Sequence, residues 1–154
     1  MLEYRIVPAS NFTELSPITQ SSGVCFDGQG RILLMRQHGK RWNIPGGTTE
    51  ANETPEETMR REVYEETTIV LGECAPIAYQ EVVDDGVIIK YQTRFACLIK
   101  TIEPQRLDPD TNTMHELAFI EPSLVMNYIE YKQFKLLFEL AVHWYTEQLS
   151  SSAK

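Results

Sequence analysis

The chain has 154 residues, 42% of them apolar and 23% charged, which suits one domain with its own core and is short for two. Its 22 acids against 14 bases leave a net charge of −8 with no long basic run, which argues against a surface for a nucleic-acid polymer. Cys25, Cys74 and Cys97 are odd in number, far apart and outside any C-x-x-C arrangement, so they read as buried thiols of a reducing compartment. The sequence shows neither a signal peptide nor a run approaching the roughly 18 apolar residues of a membrane helix, so a soluble cytoplasmic protein is expected.

Residues 1–8 predict a short first strand. The runs 18–26 and 31–36 predict two more around Asp27-Gly28-Gln29-Gly30, a hairpin signal. Arg36 ends the second run near a glycine turn and is a candidate phosphate contact, a bidentate task suited to a guanidinium, although a solvated strand-end arginine fits as well. A polar loop, His38-Gly39-Lys40-Arg41, leads through Trp42 and Ile44 into Pro45-Gly46-Gly47. Trp42 reads as core packing, and Gly46, without a side chain, is a plausible carbonyl donor to a cation. His38, His115 and His143 show no metal-ligand spacing and are expected to be exposed or half-buried.

A helix is predicted from Thr54, where Pro55 in the first turn and Glu57 three residues on make a capping box. Projected at about 100° per residue, Met59, Val63 and Thr67 form one stripe to be buried. Glu62 and Glu66, four apart, lie along its edge, and Glu66 is only about 20° from Met59, so it faces the core boundary and not bulk water. Glu57, Arg61 and Glu65 form a second ladder that can pin Glu65. A surface helix laced with ion pairs is the simplest account of so many charges. Against it stand Gly46-Gly47 just before the helix and two glutamates that repel unless a cation lies between them. Hard oxygen ligands of this kind suit Mg²⁺ or Mn²⁺ with substrate phosphates.

Beyond the helix, residues 69–83 and 87–101 predict a long hairpin around Asp84-Asp85-Gly86, with 94–99 as a central strand. Residues 103–114 read as a loop, His115 to Ile120 as a last strand, and the apolar spacing from Leu124 to Tyr145 as one long or two broken helices. Their apolar face either caps the core or forms a homodimer interface, and the core is favoured at this length. Ser150–Lys154 is expected to be a frayed tail. Strands, an acid-rich helix, strands and a closing helix predict an α/β sandwich, a mixed sheet between helices.

The stretch 47–69 resembles the Nudix box, G-x5-E-x7-R-E-U-x-E-E-x-G-U with U aliphatic. Gly47, Glu53, Arg61, Glu62, Val63, Glu65, Glu66 and Ile69 hold its positions, and Thr68 replaces its last glycine. That exchange implies a different and costlier helix exit without touching a ligand. The resemblance implies a single Nudix hydrolase domain over 1–154 with the α/β/α sandwich fold. It implies hydrolysis of the pyrophosphate linkage of a nucleoside di- or triphosphate derivative, a small-molecule substrate, with Mg²⁺ or Mn²⁺ as cofactor. Glu62, Glu66 and Gly46 are the expected ligands, Glu65 a third ligand or a general base, and Arg61 the group that orients Glu65 or Glu53. A further acid from a loop is expected in the family. Glu116 is the choice, because it precedes a strand, with Glu103, Asp108 and Asp110 as competitors. No proline follows the box where ADP-ribose hydrolases carry one, which leaves a nucleoside triphosphate or its oxidised form by elimination. The alternative is an inactive Nudix-fold module that binds a nucleotide.

Overall fold

The computed structural model describes residues 1–152. Its centre is a mixed seven-stranded sheet: β1 (Leu2–Pro8), β2 (Ile18–Phe26), β3 (Ile32–Arg36), β4 (Gly46–Thr48), β5 (Ile69–Asp84), β6 (Val87–Ile102) and β7 (Glu116–Ile120). The order is β1-β5-β6-β2-β3-β7, with β4 attached to β2. β5 and β6 form the long hairpin, and β2 runs parallel to β6, pairing Ser22 with Arg94 and Cys25 with Cys97. β6 is therefore central, as its apolar run predicts.

Alternation along the strands sorts the core into two layers. Val24, Phe26, Ile32, Leu34 and Ala96 face helix α2 (Phe134–Ser152), which buries Phe134, Leu137, Phe138 and Ala141 against them. Cys25, Leu33, Phe95 and Cys97 point the other way and pack on Met59 and Val63 of helix α1 (Pro55–Thr67). The result is the α/β/α sandwich with the sheet between. The apolar face of α2 caps the core. Cys25 and Cys97 are buried, Cys74 half-buried, and none is in a disulfide. Among the described residues no helix is long and apolar enough to cross a membrane.

Three details depart from the sequence-based expectations. The diglycine bend is not only a turn: Gly46 and Gly47 pair with Ser22 and Ser21 as β4. The closing segment takes the broken one of its two expected forms, a short 3-10 turn at Pro122–Asn127 preceding α2. Residues 150–152 of the expected tail are helical, and 153–154 lie outside the described residues.

The last departure is Thr68. It adopts the left-handed conformation a glycine would take, with φ 55°, so the helix exit is conserved although the residue is not. A β-branched side chain pays a steric penalty there. Compensation is local: Thr68 N–H donates to the Tyr64 carbonyl at 2.8 Å, and its hydroxyl donates to the carbonyls of Thr67 and Glu103.

Candidate active site

The capping box forms as its residues predict, Glu57 N–H donating to Thr54 Oγ1 at 3.1 Å and Thr54 N–H to Glu57 Oε1 at 2.9 Å. Glu57 is thereby engaged and takes no part in the expected ladder with Arg61. Arg61 instead grips Glu53 from two sides, Nε to Oε2 at 2.6 Å and Nη2 to Oε1 at 2.9 Å. It also donates to Glu62 at 2.9 Å, to Glu65 at 3.3 Å and to the Thr48 carbonyl at 3.0 Å. Glu53 further accepts from Glu50 N–H and the Thr58 hydroxyl. Arg61 and the Glu50 amide hold the Glu53 carboxyl down to about 2, and Glu53 and Glu62 in turn raise Arg61. This scaffold fixes the start of α1 to the end of β4.

Glu62 is buried, at 7% exposure, and Glu66 is partly buried. Gly46 N–H donates to Glu66 Oε1 at 2.8 Å, so this glutamate is tied to the diglycine strand. Gly46 is sterically required by the backbone it faces, and Gly47 leaves the room the Glu62 carboxylate occupies. A Cβ on Gly47 would collide with the Glu62 carboxylate, and one on Gly46 with Ser22 and the Ser21 carbonyl.

The acids of α1 meet residues from the loop before β7 in two groups. Glu62, Glu65 and Asp110 each bring an oxygen within 4.8 Å of the others, and Glu66, Asp108 and His115 form the second set. His115 Nε2 lies 2.7 Å from Asp108 Oδ2. Desolvation, with the nearby charges of Glu62, Asp108 and Glu65, pushes Glu66 up to about 8 despite the Gly46 hydrogen bond. Burial likewise raises Glu62 and Glu65, and Arg61 opposes it. Several carboxylates crowded in a half-dry pocket repel one another, and a divalent cation relieves that repulsion. The first group, all oxygen, fits Mg²⁺ or Mn²⁺; the second includes a ring nitrogen and favours Mn²⁺ over Mg²⁺.

Glu116 is not in either group. Its carboxylate sits between Arg36 Nε and His38 Nδ1, 2.6 Å from each, and these two contacts hold its pKa down. Arg36 is thus already engaged, its guanidinium also lying 4.4 Å from the centre of the Trp42 ring. The loop competitors Asp108 and Asp110 occupy the place expected of Glu116, while Glu103 pairs with Tyr64 and Arg106. His115, expected at or near the surface, is 4% exposed beside Glu66. Sequence reading missed it because i, i+7 from Asp108 to His115 is no ligand spacing until the loop closes through Asp108 N–H on the Thr113 carbonyl.

The family model of the NUDIX domain matches residues 19–137. The chain is 45% identical over 49 residues to a MutT-like protein of Streptomyces ambofaciens, covering 31% of this chain and 32% of that one. It is 36% identical over 59 residues to an 8-oxo-dGTP diphosphatase of Proteus vulgaris, covering 35% and 53%. The matches therefore span only about a third to a half of these relatives. Among solved structures, a MutT protein from Bacillus halodurans superposes with a TM-score of 0.59 at 22% identity, covering 80% of this chain and 81% of that one.

Proposed function

This chain belongs to the NUDIX family, and from that membership we propose that it hydrolyses the pyrophosphate linkage of a nucleoside di- or triphosphate derivative. The observation that carries the reading is the meeting of Glu62, Glu65 and Glu66 with Asp108, Asp110 and His115 beside the Gly46-Gly47 strand. A scaffold without chemistry gains nothing from crowding these acids together, with Glu62 and Asp108 buried among them.

In this reading Glu62, Glu66, Asp108 and Asp110, with the Gly46 carbonyl, hold Mg²⁺ or Mn²⁺. When bound, the cation neutralises phosphate charge and acidifies water. Gly46 N–H keeps Glu66 aimed at the site, and Arg61 holds Glu53, Glu62 and Glu65 in register. The water oxygen forms a bond to phosphorus, its proton passes to Glu65, and the bridging oxygen leaves with the electron pair of the broken P–O bond. Catalysis of this kind is mainly positioning and electrostatics.

The likeness to an 8-oxo-dGTP diphosphatase supports a nucleoside triphosphate or its oxidised form as substrate. We place the protein in the cytoplasm as a single domain over 1–154, acting on free nucleotides and not on a polymer or a membrane. A panel of nucleoside triphosphates, oxidised nucleotides, sugar nucleotides and dinucleoside polyphosphates, incubated with Mg²⁺ or Mn²⁺ and read by phosphate release, tests this. Turnover of one class that is lost in Glu66→Gln supports it. Tight binding without release across the panel would establish an inactive nucleotide-binding module instead.

A further inference from the structure

The cysteines, far apart in the chain, stand side by side in the sheet. Cys25 of β2 lies opposite Cys97 of β6, and Cys97 lies opposite Cys74 of β5. All three face α1, where Cys97 Sγ is 3.7 Å from Met59 Sδ. Buried cysteines commonly serve as small apolar side chains, and that account covers Cys25, which is 0% exposed. It does not cover Cys74, which is half-buried and stands at the margin of the layer.

The pairing of Cys74 with Cys97 is also of a particular kind. Opposed residues of an antiparallel ladder alternate between wide pairs that exchange hydrogen bonds and narrow pairs that do not. Cys74 with Cys97, Ala75 with Ala96 and Pro76 with Phe95 are three consecutive pairs. Proline has no N–H to exchange, so Pro76 and Phe95 form a narrow pair, and the cysteines two steps along form another. Narrow pairs have Cα atoms about 4.5 Å apart with the side chains at their closest. That separation lies inside the range of about 4.4–6.8 Å that a disulfide spans.

A positive charge stands next to this pair. The ladder skips Gly72 and Glu73 just before it, and the Gly72 carbonyl accepts from both Arg60 Nη2 at 2.8 Å and Cys74 Sγ at 3.7 Å. Arg60 is fixed there by the Leu71 carbonyl at 3.1 Å and by Glu56 at 3.0 Å. A partly accessible sulfur beside a guanidinium, with a second thiol facing it, is the setting in which oxidation is site-selective.

We propose that Cys74 and Cys97 form a reversible oxidation site, in which a hydroperoxide oxidises Cys74 and Cys97 then closes a disulfide between β5 and β6. The Cys74 sulfur attacks the terminal oxygen of the hydroperoxide and the O–O bond breaks. The oxygen that leaves takes the electron pair and the thiol's proton, and departs as an alcohol or as water. Cys74, oxidised by two electrons, is now a sulfenic acid. Cys97 gives up its proton and attacks the Cys74 sulfur, the S–O bond breaks, and hydroxide leaves with that proton as water. Two external thiols reverse the bond by exchange and are themselves oxidised to a disulfide. Cys25, one strand further from Cys74, keeps its thiol.

The full chain, free of reductant, is treated with hydrogen peroxide, and its thiols are counted in denaturant by maleimide labelling with peptide mass mapping. The thiols, three in the reduced chain, should fall to one while the intact mass drops by two hydrogens. The peptides carrying Cys74 and Cys97 should be found joined, and dithiothreitol should restore all three thiols. Cys25→Ala should oxidise at the parental rate. Arg60→Met removes the charge beside Cys74 without touching a sulfur and should slow the reaction about fivefold. Cys97→Ala, where it folds, should stop at a Cys74 sulfenic acid that dimedone traps, and the parental peptide map decides the pairing without it. Thiols that all survive a peroxide dose consuming free cysteine, a disulfide that includes Cys25 or joins two chains, Cys74 sulfinic acid with no bond to Cys97, or an Arg60→Met rate equal to the parent's would each overturn the proposal. None of these measurements reads phosphate release, so they stand apart from the test of the hydrolase reading.

Discussion

Arg61 and Arg94 are both taken partly or wholly out of water, and their surroundings are opposite. Arg61 is encircled by Glu53, Glu62 and Glu65, so charge is balanced inside the protein. Arg94 has only neutral oxygens at long range. Glu66 is the mirror case, an acid whose one donor among the described residues is the Gly46 amide and whose charged neighbours include Glu62, Asp108 and Glu65. The two unbalanced groups flank the same short strand, β4, one through Ser22 and one directly. Balanced charge builds the frame, and Glu66 and Arg94 are the two places where the protein's own groups leave a charge without an opposite partner.

The steepest loss is expected at Glu66. Glu66→Gln keeps the shape and the Gly46 hydrogen bond but removes the charge, and should lower turnover by about a hundredfold or more on whichever anhydride the protein cleaves. Steady-state rates on a folded variant check it, and near-parental activity would show that this imbalance serves no chemistry.

The same substitution also changes stability, in a pH-dependent way. Below pH 4.5, the ordinary value for the group, the carboxyl holds its proton folded and unfolded and contributes nothing. From there to about 8 the folded protein retains a proton that the unfolded chain has released, so the group makes stability fall as pH rises. In a chelator, Glu66→Gln should therefore be more stable than the parent at pH 8, by on the order of 1–3 kcal/mol, and equal to it near pH 4.5. Urea unfolding at the two pH values measures the gap, and added Mn²⁺ should reverse its sign for the parent.

A smaller effect separates the loop acids. Asp108→Asn, inside the unbalanced group, should lower turnover about tenfold or more, while Glu116→Gln, on an acid already satisfied by Arg36 and His38, should stay within about twofold. Paired rate measurements decide between them. The smallest effect is at the helix exit. Thr68→Gly should lie within about 0.5 kcal/mol of the parent, because relief of the left-handed strain offsets the lost hydroxyl bonds. Thr68→Val keeps the strain without the hydroxyl and should cost about 1–2 kcal/mol by chemical denaturation.

The legible part of this molecule was the part written in consecutive residues. The capping box and the buried stripe of Met59, Val63 and Thr67 follow from helical geometry, and the structure reproduces them, whereas of the two edge glutamates Glu62 is the buried one and Glu66 is half-buried. The strand pattern and its turns were legible for the same reason. Glu116 was a natural choice from its place before a strand, but which loop acid reaches α1 depends on how residues 103–114 fold back, a matter of tertiary closure. Arg94 sat unremarked in an apolar run. Its signal was a period of two, Gln92 with Arg94 and Gln20 with Ser22, polar residues on one face of strands otherwise reading as core. Thr68 shows the converse: a rule of composition was broken while the geometry behind it was kept.

β1 has its partner far along the chain, Leu2 lying opposite Asp84 and Pro8 opposite Ala78. During synthesis β1 emerges long before the strand it pairs with, and a contact of such high sequence separation closes late. Until β5 arrives, β1 has no neighbour in the sheet, and β5 afterwards presents an open edge until β1 docks. The first strand to be made is then among the last to be protected, an order that pulse-labelling by hydrogen exchange during refolding would reveal.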